Sequence, residues 1–239
     1  MHIPDGFINA GTSAAAGAFA VGCVAVSLRK ASRDLDDREV PLAGMAAAFV
    51  FAVQMLNFPD ASGTSGPLLG GLLAAVLVGP WVGALCITVV LMVQALLFAD
   101  GGLSALGLNV LNMAMVGAWG GYLVFLGVRA LLPARRSSVV AASAVAAALA
   151  PVLASVLFTV EYAIGGNGAA PLRTVAAAMV GVHVLLGIGE GVITALTVSA
   201  VMATRPDLVY GARGLGSRMR LAPVSTGGAA VAAPARGVR

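Results

Sequence analysis

Long apolar stretches, separated by short segments rich in charge, glycine or proline, set the pattern of this chain. A helix needs about 20 apolar residues to cross the hydrocarbon core of a bilayer, with about 17–25 tolerated. That measure predicts spans at Phe7–Leu28, Leu42–Asn57, Leu68–Gly79, Trp81–Phe98, Asn109–Leu132, Val139–Ile164 and Thr174–Thr204. Two of them are irregular. Leu68–Gly79 is short and joins the next span through Gly79-Pro80, and Leu103–Leu108 reads as a partial turn ahead of Asn109. Glycine and proline at membrane depth are tolerated where neighbouring helices shield the freed backbone. The expectation is an all-α membrane protein of about seven transmembrane helices.

Composition agrees. The chain is 59% hydrophobic and 10% charged, with mean hydropathy +0.98, against roughly 45–50% and 25% in a soluble domain. Seven spans put the termini on opposite sides. With the N-terminus outside, thirteen of the 14 basic residues fall inside: Arg29, Lys30, Arg33, Arg38, Arg129, Arg135, Arg136, Arg205, Arg213, Arg218, Arg220, Arg236 and Arg239, leaving Arg173 outside. This is the positive-inside asymmetry. The net charge of +4 is therefore a topology signal, and no nucleic-acid partner is expected.

A cleaved secretory signal would want a basic start and a shorter apolar stretch, whereas no positive side chain precedes Arg29. Retention of the N-terminus is expected. Residues 1–204 read as one transmembrane domain and 205–239, rich in Gly, Ala, Pro, Arg and Ser, as a disordered cytoplasmic tail. Cys23 and Cys86 stand alone in apolar runs and read as small buried hydrophobes. Small residues four apart (Ala14, Ala18 and Gly22; Ala43 and Ala47; Gly71 and Ala75; Gly117 and Gly121) let helix backbones approach closely, inside the bundle or against another membrane subunit.

The chemistry begins at the first two residues. Met1-His2 offers an α-amine, the His2 amide nitrogen and the His2 imidazole, which close adjoining chelate rings on a divalent metal. A planar nitrogen set favours nickel or copper, and ligand deprotonation weakens binding as pH falls. Pro4 stiffens the exit from such a chelate. The plain alternative is that His2, one of 2 histidines, is an exposed polar residue.

MHIPDGF, VPLAGMAAAFVFAVQMLNFPDASGTSG, GPWVGALCITVVLMVQALLFADGGLSALGLNVLNMAMVG and the late HVLLGIGEGVITAL together resemble the CbiM/NikM family, from Met1 to about Thr204. These are the substrate-capture (S) subunits of energy-coupling-factor ABC transporters for cobalt and nickel. The resemblance implies an S-component bundle with an extra N-terminal helix, whose chain end folds into the cavity and binds Ni2+ or Co2+ through the nitrogens of Met1 and His2. It implies a prokaryotic cell membrane, no enzyme activity and no resident cofactor, the metal being cargo. It also implies partners: a coupling transmembrane (T) subunit, two cytoplasmic ATPases and a small accessory membrane subunit. The chain itself has no G-x-x-x-x-G-K-[ST] phosphate loop.

The family's fourth ligand is a histidine after G-T-S-G. Here Gly63-Thr64-Ser65-Gly66 is followed by Pro67. That departure leaves an open ligand position, or marks a degenerate or substrate-divergent member. His183 and Glu190, seven apart on one helix face and matching the late motif, are candidates for a supporting role or, for His183, a substitute ligand. The plain reading is a structural polar pair bonded across the bundle to Gln54 or Asn57. Ser65 belongs to the same group of candidates near the site. Asp5, Asp60 and Asp100 fall on the outer side, where they draw cations inward or stand as solvated loop acids. A competing enzyme reading takes Gly63-Thr64-Ser65-Gly66 with His183 and Gly187 as the pattern of a rhomboid intramembrane serine protease.

Overall fold

A computed structural model describes residues 1–34, 40–55, 58–59, 65–66, 68–168, 170–213 and 215. Asn57, Asp60, Pro67 and the chain beyond 215 lie outside the described residues. The helices are α1 (Ala10–Asp34), α2 (Val40–Gln54), α3 (Gly71–Val78), α4 (Pro80–Leu97), α5 (Leu106–Ala130), α6 (Arg136–Gly165) and α7 (Leu172–Thr204). Two-residue strands, β1 (Phe58–Pro59) and β2 (Ser65–Gly66), pair antiparallel between α2 and α3.

Among the described residues five helices, α1 and α4 to α7, are long and apolar enough to cross a membrane; α2 is shorter at 15 residues. The expected span Leu68–Gly79 is corrected. Its helical part, α3, has 8 residues, about 12 Å at 1.5 Å per residue, far less than the hydrocarbon thickness. Every residue of α3 is buried, so its uniform apolarity reflects burial inside the bundle. Gly70 (φ 67°) and Gly79 (φ 93°) bracket it in backbone conformations that side chains disfavour, and Pro80 starts α4 at the position where its missing N–H costs nothing.

Close helix approaches run through the small residues. A Cβ on Gly71 would lie 2.7 Å from the backbone of Gly117, one on Gly83 2.7 Å from Ala75 and one on Gly107 2.4 Å from Gly17. Gly187 and Gly191 seat α7 on Ala148 and Ala144 of α6 in the same way. Of the repeating pairs, Gly71 and Gly117 thus pack internally, whereas Ala14, Ala18 and Gly22 lie on the exposed face of α1. Cys86 is buried with its thiol towards the Ala43 carbonyl, and Cys23 is half-buried. Residues 110–120 of α5 are wound as a π-helix, a rare form frequent at functional sites.

The N-terminal arm and the described segment that follows α7 sit at opposite ends of α4. Met1, Ile3, Phe7 and Ile8 pack in one apolar cluster with Leu108, Phe158 and Tyr162. At the other end Tyr210 covers Gly79, with Ala31 and Val78 lining the same hollow, and Arg129 donates to the Gly211 carbonyl. The segments bearing Arg29–Arg33, Arg129 and Arg205–Arg213 therefore share an end. Single 3-10 turns at Pro206–Leu208 and Tyr210–Ala212 follow α7, and Val209, Ala212 and Leu215 are buried against the second apolar cluster.

Candidate metal centre

The first nine residues form a docked arm. Asn9 caps α1 by accepting from the Thr12 N–H at 2.9 Å. Before it, Ile8 pairs with Gly166; Asn9 N–H donates to Gly165 O (2.7 Å) and Asn167 N–H to Phe7 O (3.1 Å). The arm then runs under the α4–α5 loop. Ile3 N–H donates to Asn109 Oδ1 (2.8 Å), Asn109 Nδ2 donates to Ile3 O (3.3 Å), and Gly102 N–H also donates to Ile3 O (2.8 Å). Asp5 accepts from both the backbone N–H (2.8 Å) and hydroxyl (2.6 Å) of Ser104. These bonds hold its carboxyl below the usual carboxylate range.

This arrangement buries Met1 completely and His2 to 3% exposure. The exposed-polar alternative for His2 is therefore set aside. Its Nε2 lies 3.1 Å from Gln94 Oε1 and its Nδ1 3.1 Å from Asp100 Oδ1. Burial pushes the imidazole pKa down to about 4, the adjacent positive N-terminal amine acts in the same direction, and Asp100 and Gln94 oppose them. His2 is thus a neutral imidazole at neutral pH, the form that ligates metals.

The α4–α5 loop is shaped to receive the arm. Gln94 O accepts from both Phe98 N–H (3.0 Å) and Asp100 N–H (3.1 Å). Ala99 (φ 52°) and Gly101 (φ 91°) flank Asp100 in left-handed conformations, an uncommon one for alanine. A Cβ on Gly102 would stand 2.3 Å from the Asp5 nitrogen. Of the acids read as cation-drawing or solvated loop groups, Asp5 is exposed and accepts from Ser104, whereas Asp100 lies half-buried against His2. No group of three or more His, Cys, Asp or Glu side chains gathers to hold a metal among the described residues. A metal at His2 would need main-chain or terminal nitrogens to complete its shell.

His183 is buried on α7 with Nδ1 2.7 Å from the Met179 carbonyl one turn earlier. It also lies within electrostatic reach of the Met1 amine. Glu190 sits elsewhere. Its two oxygens accept from Leu69 N–H (2.8 Å) and Gly70 N–H (3.0 Å), and Gln54 Nε2 donates to Leu69 O (2.7 Å). Glu190 and Gln54 thus clamp the backbone entering α3, a carboxylate at a helix N-terminus being favoured by the helix dipole. The expected cross-bundle pairing holds for Glu190 in kind, but its partners are backbone groups, and His183 bonds within its own helix. The backbone of Ser65 pairs with Pro59 in the β1–β2 hairpin; Asn57 and Pro67 are outside the described residues.

Several polar side chains at this end were not singled out by the motifs: Gln94, Asn109, and the buried pair in which Asn112 Nδ2 donates to Glu161 Oε2 at 2.6 Å. Each is a polar group in an apolar run, which is the signal available in sequence.

With this geometry in view, the comparisons with known proteins converge. The family model described as cobalt uptake substrate-specific transmembrane region (CbiM) matches residues 2–208. A fused nickel transport protein NikMN of Rhodobacter capsulatus is 38% identical over 221 residues, covering 87% of this chain and 64% of that one. A cobalt transport protein CbiM of Sorangium cellulosum is 36% identical over 220 residues, covering 87% and 94%. The crystal structure of a truncated transition metal transporter superposes with TM-score 0.78 at 32% identity, covering 85% of this chain and 99% of that one.

Proposed function

The chain belongs to the CbiM family of cobalt uptake substrate-specific transmembrane regions, and from that premise we propose that it captures Ni2+ or Co2+ outside a prokaryotic cell through a chelate made by its own N-terminus. The membrane component of metal uptake is the family's role. The finer reading is the capture site and its setting in an energy-coupling-factor ABC transporter. There a T subunit, two ATPases and a small accessory membrane subunit supply the energy and scaffold that this chain's sequence lacks.

The observation that carries the proposal is the burial of Met1 and His2 at the N-terminal end of the bundle. Chain ends are usually frayed. Ordering this one requires the bonds from Asn109, Gly102 and Ser104 to residues 3–5, and it sets the amine, the His2 amide and the imidazole in one enclosed place. Amine nitrogen, amide nitrogen and Nδ1 close a five- and a six-membered ring on one ion. Placing Met1 and His2 at the outer face follows from the charge asymmetry, with the basic end of the bundle inside.

A protease role finds no support. Gly187 is accounted for by its seat on Ala148, and His183 by its bond to Met179, and the family is one of transport components.

The test is metal content and affinity of the full chain purified with a native, deformylated N-terminus, titrated with Ni2+ and Co2+. His2→Ala, and a one-residue glycine extension ahead of Met1, are expected to abolish stoichiometric binding. Equal binding by either variant overturns the chelate. Failure of the native chain to bind either metal would identify a member that keeps the fold and has lost capture.

A further inference from the structure

We propose that Asp100 is a ligand of the captured metal, its carboxylate oxygen completing the set begun by the Met1 amine, the His2 amide and His2 Nδ1. The inference rests on the chelate proposed above and names a further donor for a chain whose sequence has Pro67 where the resemblance implies a ligand histidine.

Three observations lead to it. First, the spacing fits. Two donors each about 2.1 Å from one ion, at right angles to each other, stand about 3.0 Å apart; His2 Nδ1 and Asp100 Oδ1 are 3.1 Å apart. Second, both imidazole nitrogens face acceptor oxygens. Gln94 Oε1 lies 3.1 Å from Nε2 and Asp100 Oδ1 3.1 Å from Nδ1, and a neutral imidazole has one proton for the two of them. With that proton on Nε2 towards Gln94, a cation between Nδ1 and the carboxylate supplies the attraction that joins the other two atoms. Third, the loop fixes the carboxylate. The same Gln94 accepts the Asp100 N–H through its backbone carbonyl, the left-handed Ala99 and Gly101 flank it, and the Asp100 side chain is 16% exposed.

Charge favours the same assignment. A divalent ion bound by a neutral amine, a deprotonated amide, a neutral imidazole and a carboxylate carries no net charge, and an enclosed site pays least desolvation for a neutral complex. The protons displaced, one from the ammonium and one from the amide, leave to solvent or buffer. An oxygen donor also weakens the ligand field relative to four nitrogens, which relaxes the demand for a square-planar ion.

The experiment titrates the full chain, native N-terminus intact, with Ni2+ and Co2+ alone, recording affinity and the visible d–d absorption. The variants are His2→Ala, Asp100→Asn, Asp100→His and Asp100→Asn with Pro67→His. Loss of a ligand is expected to weaken Ni2+ binding in Asp100→Asn by more than the 10–100-fold that outer partners typically contribute. Asp100→His is expected to bind with the d–d band moved to higher energy, as nitrogen replaces oxygen. Recovery of binding in Asp100→Asn with Pro67→His shows that the single variant was folded and short of one donor.

Unchanged affinity and an unmoved band in Asp100→Asn, with binding still lost in His2→Ala, would overturn the Asp100 assignment and leave the chelate standing. So would an unmoved band in a binding Asp100→His protein, or a second variant that fails to recover. Binding that survives His2→Ala, or is absent from the native chain, overturns both readings together.

Discussion

Asn109 on the first turn of α5 grips the backbone of Ile3 at both ends, accepting from its N–H at 2.8 Å and donating to its carbonyl at 3.3 Å. One amide side chain thereby fixes the residue that follows the proposed chelate, across 106 positions of sequence.

Asn109→Ala removes both bonds and leaves a buried N–H unpaired, a loss of about 1–3 kcal/mol in docking the arm. Ni2+ affinity is expected to fall about 10–100-fold, and the Ile3 amide to exchange hydrogen faster. Native affinity in this variant would show that the arm is held without Asn109.

Gly102→Ala tests the fit of the arm beneath the loop. The added Cβ would stand 2.3 Å from the Asp5 nitrogen and 2.7 Å from the Pro4 carbonyl carbon, so the arm must move and metal binding is expected to be lost. Gly44→Ala on α2, where a Cβ meets nothing within 4 Å, is expected to bind as the native chain does. Equal behaviour of the two variants would argue against a tight seat.

Glu190→Ala strips the acceptors from two buried backbone N–H groups, those of Leu69 and Gly70. A cost of about 2–5 kcal/mol is expected, read as a lower Tm in detergent. Because Glu190 bonds the entry to α3 and not the arm, the remaining folded protein is expected to keep its 1:1 metal stoichiometry.

Acid should release the arm. His2 has its folded pKa depressed to about 4 from an ordinary 6.5, so an undocked arm binds the proton more readily. Its contribution to docking is complete above about pH 6.5 and is lost as pH falls towards 4, amounting at most to about 3 kcal/mol. An Ile3 amide protection factor, referred to the intrinsic exchange rate at each pH, that falls across this window and recovers on raising the pH is the expected record. Constant protection down to pH 4 would contradict it.

Proton release on binding offers an independent check. At pH 6 an ordinary terminal amine is protonated, whereas His2 is already neutral. Calorimetry in buffers of different ionisation enthalpy is therefore expected to find about two protons released per Ni2+, one from the ammonium and one from the amide. About three would mean that His2 is protonated before metal arrives.

Much of the architecture was legible because lipid imposes a simple rule. The stretches predicted at Phe7–Leu28, Trp81–Phe98, Val139–Ile164 and Thr174–Thr204 all fall within or against observed helices. The rule failed at Leu68–Gly79, since an 8-residue helix buried on every side is as apolar as one facing lipid. At the site, Met1 and His2 stood out by motif. Asp100 looked like any loop acid, because nothing local records that a segment 98 residues upstream lies against it.

The sequence by itself determined that this is a membrane-embedded helical protein of one family, with its basic residues concentrated in a few short segments and an N-terminus rich in nitrogen donors. These properties reside in composition and short motifs, where each residue contributes alone. Only the tertiary structure decided that the N-terminus is buried, that Asn109 and Gly102 hold it, that Glu190 serves the α3 entry, and that Asp100 and Gln94 face the two nitrogens of His2. Those are pairings between distant segments. They follow from how helices with glycine-lined contacts stack, which fixes the loops at their ends and thus which side chains meet.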